Sequence, residues 1–416
     1  MTFKTLTLGC KVNSYECSSI RELLLNQGFT EDLNEPDIII LNTCSVTSVA
    51  DQKSRQIIRR ERRKHPNCVI AVMGCYSQKN AEYVSRDCNA DIVVGTSFRN
   101  KLPEFIVEFL NSKQKIVRIN NDVRHLEYES FGVYALPNST RAYIKIEDGC
   151  NNFCTYCTIP YTRGQARSRD KDEIISEIKY LISQGFKEFV LTGIHTAHYG
   201  VDLKDTSFSD LVEEILNIND LYRLRISSIE ESEIDDKLIS LFAKSDKLAN
   251  HLHIPLQSGS PSILKRMNRR YNVDNFYEKI KKIRTVRPDI AITTDVIVGF
   301  PSESEDNFLE TYNFIKKINF AELHVFPFSP REGTLAYSFP NQIDAKTKAD
   351  RVKTLINLSD EMQKEYRDKF IGKELEVILE ERNKSTGLLS GFTSNYLKLD
   401  ADLPDEYIGK VVKLKL

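Results

Sequence analysis

Short apolar segments alternate with helical patterns along most of the chain, and this alternation limits the possible folds more than any other feature. The first predicted strands cover residues 5–8, 37–41, 68–73 and 91–94, with helical patterns between them. Strands connected through helices form parallel sheets, because each helix returns the chain to the end of the sheet at which the previous strand began. The N-terminal part is therefore predicted to be an α/β unit with an open parallel sheet.

A second series of six strand-helix units follows a polar connector. Its predicted strands cover residues 142–146, 188–191, 223–227, 251–255, 290–298 and 322–326. Six consecutive units are typical of a partial (β/α)6 barrel, whose functional residues lie at the C-terminal ends of the strands. We therefore expect a central α/β barrel.

The last residues change character, because short strand patterns are separated there by Gly387, Gly391 and Gly409. They predict a small antiparallel β-barrel, an architecture that often binds oligonucleotides. The expected organisation is a multidomain α/β chain with four parts. These are an N-terminal domain at 1–113, a linker at 114–136, a central barrel at 137–367 and the small β-barrel at 368–416.

The composition excludes several classes of protein. Of the 416 residues, 41% are hydrophobic and 28% are charged, which is typical of a soluble globular protein. No segment approaches the ~20 apolar residues of a membrane span, and no secretory signal is visible, so we expect a cytoplasmic protein without membrane contact. In a reducing compartment, nine cysteines indicate metal ligation or catalysis more than disulfides.

Three of these cysteines, Cys150, Cys154 and Cys157, lie on one short loop after the first strand of the second series. Three thiolates at this spacing can ligate three irons of a 4Fe-4S cubane and leave the fourth iron open to a substrate or cofactor. A zinc ion is the alternative, because it takes four ligands. Its fourth ligand would be a histidine such as His195, His198 or His253.

Three other cysteines, Cys10, Cys44 and Cys75, each follow a predicted strand of the N-terminal sheet. Ligands bind beyond the carboxyl ends of the strands in open α/β sheets, so these thiols are expected to converge on one crevice. They are a second candidate three-thiolate site. The alternative for any one of them is a buried free thiol at a strand end.

A predicted helix at 53–64 carries seven basic residues against one acid, although the net charge of the chain is only -1. It is a candidate RNA-binding surface, and the alternative is an ordinary solvated helix face. The candidate RNA-binding residues are Arg55, Arg59, Arg60, Arg62, Arg63 and Lys64.

The cysteine loop, with Tyr156 before its last cysteine, resembles the signature loop of the radical S-adenosylmethionine (SAM) enzymes. Further motifs make essentially the whole chain similar to the methylthiotransferase family within that superfamily. These motifs are Gly9-Cys10-Lys11-Val12-Asn13, Asn42-Thr43-Cys44, Gly74-Cys75, Ile159-Pro160-Tyr161-Thr162-Arg163-Gly164 and Arg167-Ser168-Arg169.

The resemblance implies two 4Fe-4S clusters. One would be held by Cys10, Cys44 and Cys75, and the other by Cys150, Cys154 and Cys157. The open iron of the second would bind SAM, whose reductive cleavage yields a 5'-deoxyadenosyl radical. The resemblance also implies that the C-terminal barrel is an RNA-binding TRAM domain. No acid-base catalytic group is required by this chemistry, and none is assigned.

Within the family, the first cysteine motif followed by Tyr15-Glu16 is most similar to the MtaB type, although Ser14 stands where the family usually has glutamine. That type methylthiolates carbon 2 of N6-threonylcarbamoyladenosine at position 37 of tRNA. The implied partners are the tRNA anticodon loop and an electron donor such as flavodoxin or ferredoxin. Alternatives are isopentenyladenosine in tRNA or a ribosomal-protein aspartate as substrate, and a noncatalytic, metal-stabilised RNA-binding protein.

Candidate SAM contacts follow from the resemblance at the ends of later strands. They are Tyr156, Thr192, Gly193, Ser228, Glu230, Gln257, Ser258 and Gly299. Gly193 and Gly299 could also be plain turn residues. The family pattern GxIxGxxE is met only in part, because Asp295 takes the place of its first glycine and Ser302 takes the place of its glutamate, with Glu303 next.

Overall fold

The computed structural model describes residues 1–137 and 139–416. Its first part is a parallel sheet with helices on both faces. The elements are β1 (Thr2–Thr7), α1 (Lys11–Asn26), β2 (Thr30–Glu31), β3 (Ile38–Thr43), α2 (Ser48–Lys64), β4 (Val69–Gly74), α3 (Cys75–Lys79), α4 (Ala81–Arg86), β5 (Ile92–Val94), α5 (Leu102–Ser112) and β6 (Ile116–Arg118).

The six strands of this sheet are ordered β2-β1-β3-β4-β5-β6, and all neighbours are parallel. Strands β3 and β4 are buried along their whole lengths, because α1 and α5 cover one face and α2 and α4 cover the other. The open parallel sheet predicted from the sequence is confirmed. The sheet also includes β6, which lies in the range 114–136 that composition marks as a linker. The three boundaries between the four expected parts stay predictions.

The central part alternates strands and helices in the predicted way. Its elements are β7 (Arg141–Lys145), β8 (Glu147–Asp148), α6 (Ile159–Thr162), β9 (Arg167–Ser168), α7 (Lys171–Ser183), β10 (Glu188–Thr192), α8 (Phe208–Leu216), β11 (Arg223–Ile226), α9 (Asp236–Lys244), β12 (His251–His253), α10 (Pro261–Arg266), α11 (Val273–Val286), β13 (Ala291–Val298), α12 (Glu305–Ile318), β14 (Glu322–Pro327) and α13 (Ala345–Asp368).

The main strands form two parallel sheets, β11-β10-β7 and β12-β13-β14. A single parallel bridge between Leu224 and Leu248 connects them into an arc. The helices bury apolar faces against this arc. In α8, for example, Phe208, Leu211 and Ile215 are buried at the spacing of one helix face, and Ser207 caps the first turn. Within the described part of the chain β7 and β14 remain edge strands, so the barrel is partial, as predicted.

The C-terminal part is an antiparallel sheet of β15 (Glu374–Arg382), β16 (Leu389–Thr393), β17 (Lys398–Ala401) and β18 (Val411–Lys415), ordered β17-β16-β15-β18. The sheet curls as a half-barrel, which is consistent with the predicted small barrel. The sequence pattern predicts a strand over 395–399, but β17 begins only at Lys398. The reason is a tight turn before it, in which Tyr396 adopts a left-handed backbone conformation with φ of +67°.

The three parts meet at the open side of the central arc. Helix α1 packs against β7, and α13 packs against β14. The C-terminal sheet is joined to the arc by Arg141, whose guanidinium donates to Glu380 at 2.6 Å. Arg225 also donates to the backbone carbonyl of Thr393 at 3.2 Å. No helix among the described residues is long and apolar enough to cross a membrane.

Candidate active site

The first cysteine trio lies at the carboxyl ends of three adjacent strands. Cys10 caps α1 after β1, Cys44 follows β3, and Cys75 begins α3 directly after β4. Cys44 packs directly against the backbone of Gly9, the residue before Cys10. The φ of Gly9 is +105°, and a Cβ on Gly9 would lie 2.6 Å from the Cβ of Cys44, so a side chain does not fit.

Two polar side chains organise this trio. Asn13 donates to the carbonyls of Leu8 at 2.7 Å and Thr43 at 3.3 Å, which ties the ends of β1 and β3 together. Arg163 comes from the central part, where it follows α6. Its Nε donates to Sγ of Cys75 at 3.1 Å, and its other end donates to Asn13 at 3.0 Å. The trio is therefore held by residues from both parts of the chain.

Burial raises the pKa of two thiols of this trio, Cys44 and Cys75. It raises the pKa of Cys44 to about 11. It also raises the pKa of Cys75, although the Arg163 guanidinium acts in the opposite direction. Ligation of a metal as thiolates would therefore release protons, and the positive charge of Arg163 would favour the ionised form.

The second trio lies on the loop between β8 and α6, and backbone hydrogen bonds fix this loop. The amide of Cys150 donates to Gly164 at 3.0 Å, and that of Cys157 donates to Cys154 at 2.9 Å. The amide of Thr155 donates to Met267 at 3.1 Å. All three thiols are free and half-buried.

Charged side chains surround the second trio. Arg269 donates to Sγ of Cys154 at 3.3 Å and pairs with Glu230 at 2.7 Å. Nδ1 of His195 lies 3.7 Å from Sγ of Cys150, and its Nε2 lies 2.8 Å from Glu233. Such contacts to sulfur tune a bound iron-sulfur cluster.

The spacing of donor atoms distinguishes a cluster from a single ion. Among the described residues, Cys150 forms a compact group with His195 and His198, with all ligand atoms within 4.8 Å of one another. Neither cysteine trio forms such a group. Three thiols that do not converge on one point fit the separate irons of a cubane better than one zinc ion. His253 lies elsewhere, in a group with Asp295 and His324.

A cavity of about 600 Å³ lies inside the central arc. It is lined by the N-terminal segment, by the inner faces of the barrel strands and by the C-terminal turn. The lining residues are Gly9, Cys10, Lys11, Val12, Thr192, Gly193, Ser227, Ser228, His251, His253, Thr293, Asp295, Glu322, His324, Phe326 and Tyr396. One cysteine of the first trio thus faces the same space as the barrel strands.

Of the eight candidate SAM contacts, Thr192, Gly193 and Ser228 line this cavity. Glu230 lies beside the second trio through its pair with Arg269. Tyr156 packs edge-on against the Phe300 ring.

The other three candidates have contacts within the fold. The amide of Gln257 donates to the Asp295 carbonyl at 2.8 Å. Ser258 is fully buried and lies 3.1 Å from the Thr311 hydroxyl. Gly299 has φ of +71°, and its amide donates to the carboxylate of Glu303 at 2.6 Å.

Glu303 also forms a salt bridge with Arg351 at 2.7 Å and is buried. Ser302, which takes the place of the glutamate in the family pattern, contacts Asn341 at 3.3 Å.

The basic helix α2 presents two kinds of arginine. Arg62 is internal, because it pairs with Asp91 at 2.5 Å and donates to the Cys68 carbonyl at 2.7 Å. Arg55 is half-buried against Tyr76. The remaining basic side chains that sequence reasoning selected are exposed: Arg59, Arg60, Arg63 and Lys64.

Sequence reasoning missed a buried ionic network between the N-terminal and central parts. Glu16 accepts hydrogen bonds from Arg163 at 2.9 Å, from Lys145 at 3.0 Å and from Arg99. Asp148 accepts from Arg163 at 3.0 Å and from Lys145 at 2.7 Å. All five side chains are at most 1% exposed. Two of them, Glu16 and Arg163, lie within motifs that carried the family resemblance.

Two families match the sequence. The Radical SAM superfamily matches residues 144–315, and "Uncharacterized protein family UPF0004" matches residues 2–95. The threonylcarbamoyladenosine tRNA methylthiotransferase MtaB of Bacillus subtilis (strain 168) is 45% identical, and the match covers 99% of this chain and 92% of that protein. Its namesake in Aquifex aeolicus is 35% identical, over 98% of each chain.

A protein of Thermoanaerobacter sp. (strain X514), named tRNA-2-methylthio-N(6)-dimethylallyladenosine synthase, is 36% identical over 99% of this chain and 89% of its own length. Among solved structures, the radical SAM methyltransferase TsrM from Kitasatospora setae, with cobalamin and a [4Fe-4S] cluster bound, matches with a TM-score of 0.60. This match is 12% identical and covers 81% of this chain and 74% of that one, so it supports the fold alone. The predicted cofactors, SAM and 4Fe-4S, are those of the superfamily. The chain belongs to the radical SAM tRNA methylthiotransferase family.

Proposed function

We propose that this enzyme inserts sulfur and a methyl group at carbon 2 of N6-threonylcarbamoyladenosine at position 37 of tRNA. The observation that carries the proposal is the shared cavity, which Cys10 of the first trio lines together with the strand-end residues Thr192, Gly193 and Ser228. A nucleobase in this cavity would be accessible both to a sulfur donor and to a radical source. The names of the relatives from Bacillus subtilis and Aquifex aeolicus support the choice of nucleoside.

We assign one 4Fe-4S cluster to each cysteine trio. The chemistry of the donors fits, because each trio offers three thiols on well-fixed backbone and leaves one iron without a protein ligand. When bound, the clusters and two SAM molecules supply the sulfur, the methyl group and the 5'-deoxyadenosyl radical. The protein's own residues position these groups and exclude water.

Several side chains have positioning roles in this proposal. The Arg163 guanidinium donates to the sulfur of Cys75 and to the side chain of Asn13. The Arg269 guanidinium donates to the sulfur of Cys154. Each trio therefore has one guanidinium that donates to a cysteine sulfur. Gly9 leaves the space that Cys44 occupies beside the backbone that precedes Cys10. Thr192, Gly193 and Ser228 are the strand-end residues that would contact SAM.

The RNA would be held outside the cavity. The exposed basic residues of α2, Arg59, Arg60, Arg63 and Lys64, can neutralise backbone phosphates, and the C-terminal half-barrel offers a second surface. A base in the anticodon loop can be splayed out of its stack into an enzyme pocket. A small electron-transfer protein such as flavodoxin or ferredoxin is proposed as the electron donor.

Mass spectrometry of tRNA nucleosides from a strain lacking this protein tests the proposal. We expect the 2-methylthio derivative of threonylcarbamoyladenosine to disappear and its unmethylthiolated precursor to accumulate. Loss of the isopentenyladenosine derivative, or of methylthiolation on a ribosomal-protein aspartate, would instead assign one of the other substrates. Anaerobic reconstitution that yields zinc and no 5'-deoxyadenosine would support the noncatalytic alternative.

A further inference from the structure

One wall of the cavity carries an ammonium group without a protein partner. Lys11 is the first residue of α1 and lines the cavity beside Cys10. Across residues 1–137 and 139–416, no side chain or carbonyl is within hydrogen-bonding distance of its Nζ, and no carboxylate forms a salt bridge with it. A half-buried ammonium group is costly to desolvate unless an anion compensates it. The position of Lys11 therefore suits an anionic ligand.

The surroundings of Lys11 carry more positive than negative charge. Arg141, Arg225 and Glu188 lie close enough to Lys11 to act on its charge, although none of the three lines the cavity. Glu188 is shared between Arg225 at 2.7 Å and Arg223 at 3.0 Å, and Arg141 is paired with Glu380 at 2.6 Å. Both carboxylates are therefore engaged by arginines, and neither forms a salt bridge with Lys11.

An aromatic side chain from the C-terminal turn borders the same wall. The ring of Tyr396 stacks on His251 with centroids 4.7 Å apart, and the Arg225 guanidinium lies 4.7 Å from the Tyr396 centroid. The hydroxyl accepts a hydrogen bond from Arg141 at 2.8 Å. Tyr396 has a left-handed backbone conformation, with φ of +67°. Its ring lines the cavity and contacts the two arginines that lie near Lys11.

The carboxylates that line the cavity have other partners. Asp295 lies 3.3 Å from a ring nitrogen of His253 and 3.3 Å from one of His324. Glu322 is 41% exposed and lies 3.9 Å from His324. Neither carboxylate forms a salt bridge with Lys11, so its ammonium group remains available to an anionic ligand in the cavity.

We propose that Lys11 binds the carboxylate of the threonyl group on the adenosine N6 substituent and thereby selects an anionic substituent over an apolar one. This inference rests on the proposed function, because only the threonylcarbamoyl substituent ends in a carboxylate. A dimethylallyl group would leave Lys11 desolvated and unpaired in the cavity. The enzyme would reject it through that uncompensated charge.

The test measures binding of anticodon stem-loop RNAs by the reconstituted full-length protein. One RNA carries threonylcarbamoyladenosine, and a second carries the same nucleoside with its carboxylate converted to a primary amide. We expect Lys11→Met to weaken binding of the acid RNA about tenfold or more. Binding of the amide RNA should change less than about twofold, and Lys11→Arg should retain part of the preference for the acid.

Lys346→Met is the matched control, because Lys346 is an exposed lysine away from the cavity. Iron content equal to that of the wild type shows that the Lys11 variants still bind their clusters. The inference is overturned if Lys11→Met loses equal affinity for the acid and amide RNAs, or loses affinity for neither. The proposed function would survive that result as long as the wild-type protein methylthiolates the acid RNA. Wild-type protein that leaves the acid RNA unmodified would overturn the proposed function as well.

Discussion

Neutralising Glu16 should destabilise the contact between the N-terminal and central parts. The Glu16 carboxylate is fully buried and compensates Arg99, Lys145 and Arg163, whereas Asp148 is the other acceptor shared by these cations. In Glu16→Gln, three buried cations lose one of their counter-charges without any change in side-chain size. Removal of one partner from a buried ionic network costs about 3–5 kcal/mol. We expect the free energy of unfolding to fall by that amount.

Urea unfolding of the apo protein, monitored by circular dichroism, measures this loss. Glu108→Gln is the matched control, because Glu108 pairs with Arg118 at 3.1 Å on the surface, where both side chains are more than 40% exposed. An exposed pair contributes only about 0.2–1 kcal/mol. If Glu16→Gln costs no more than Glu108→Gln, the network does not stabilise this contact and the reasoning is refuted.

The same variant gives a pH signature. The Arg163, Arg99 and Lys145 cations hold the pKa of Glu16 well below its usual range, against the effect of burial. The stabilisation from Glu16 is therefore complete above the unfolded pKa of about 4.3 and is lost as the pH falls towards the lower folded value. The stability difference between wild type and Glu16→Gln should be constant above about pH 5 and should narrow below about pH 4. A difference in the free energy of unfolding that increases as the pH falls would contradict this prediction.

Three further variants test the site. Gly9→Ala should reduce the iron bound after reconstitution from about eight to about four per chain, because its Cβ would overlap Cys44; iron and sulfide analysis measures this. Arg269→Met removes the hydrogen bond to Cys154 and should shift the reduction potential of that cluster downwards in a spectroelectrochemical titration. Arg63→Gln should weaken tRNA binding and should reduce the slope of log K against log salt concentration by about one. Arg62→Gln should mainly lower the free energy of unfolding, because Arg62 pairs with Asp91 inside the protein.

The strand-helix alternation and the places of the cysteines were predictable from local sequence. Short apolar runs that are joined by helices predict parallel strands. Cys10, Cys44 and Cys75 follow three of those strands directly. Apolar periodicity predicts the first helix only over 18–26, whereas α1 begins at Lys11. Its first turns are polar and contain residues that face the site, so apolar periodicity does not mark them.

The ionic network and the charges around Lys11 could not be predicted in the same way. Glu16, Arg99 and Arg163 are separated by more than 60 residues in sequence, and each alone is an ordinary charged residue. Charge compensation between such residues depends on how separate sheets dock, which periodicity does not encode. The position of Tyr396 likewise depends on a left-handed turn at a residue other than glycine, where sequence predicts a continuing strand.

Arg163 gives this network a role beyond stability. Its guanidinium contacts Cys75 of the first trio and Asp148, which precedes Cys150 of the second trio by two residues. The relative position of the two trios is therefore set by a buried, hydrogen-bonded side chain, and the connector between the two parts does not have to set it. Loosening the network should change that position, because each carboxylate constrains the same guanidinium. Glu16→Gln should consequently impair methylthiolation even under conditions where the protein remains folded and retains all its iron.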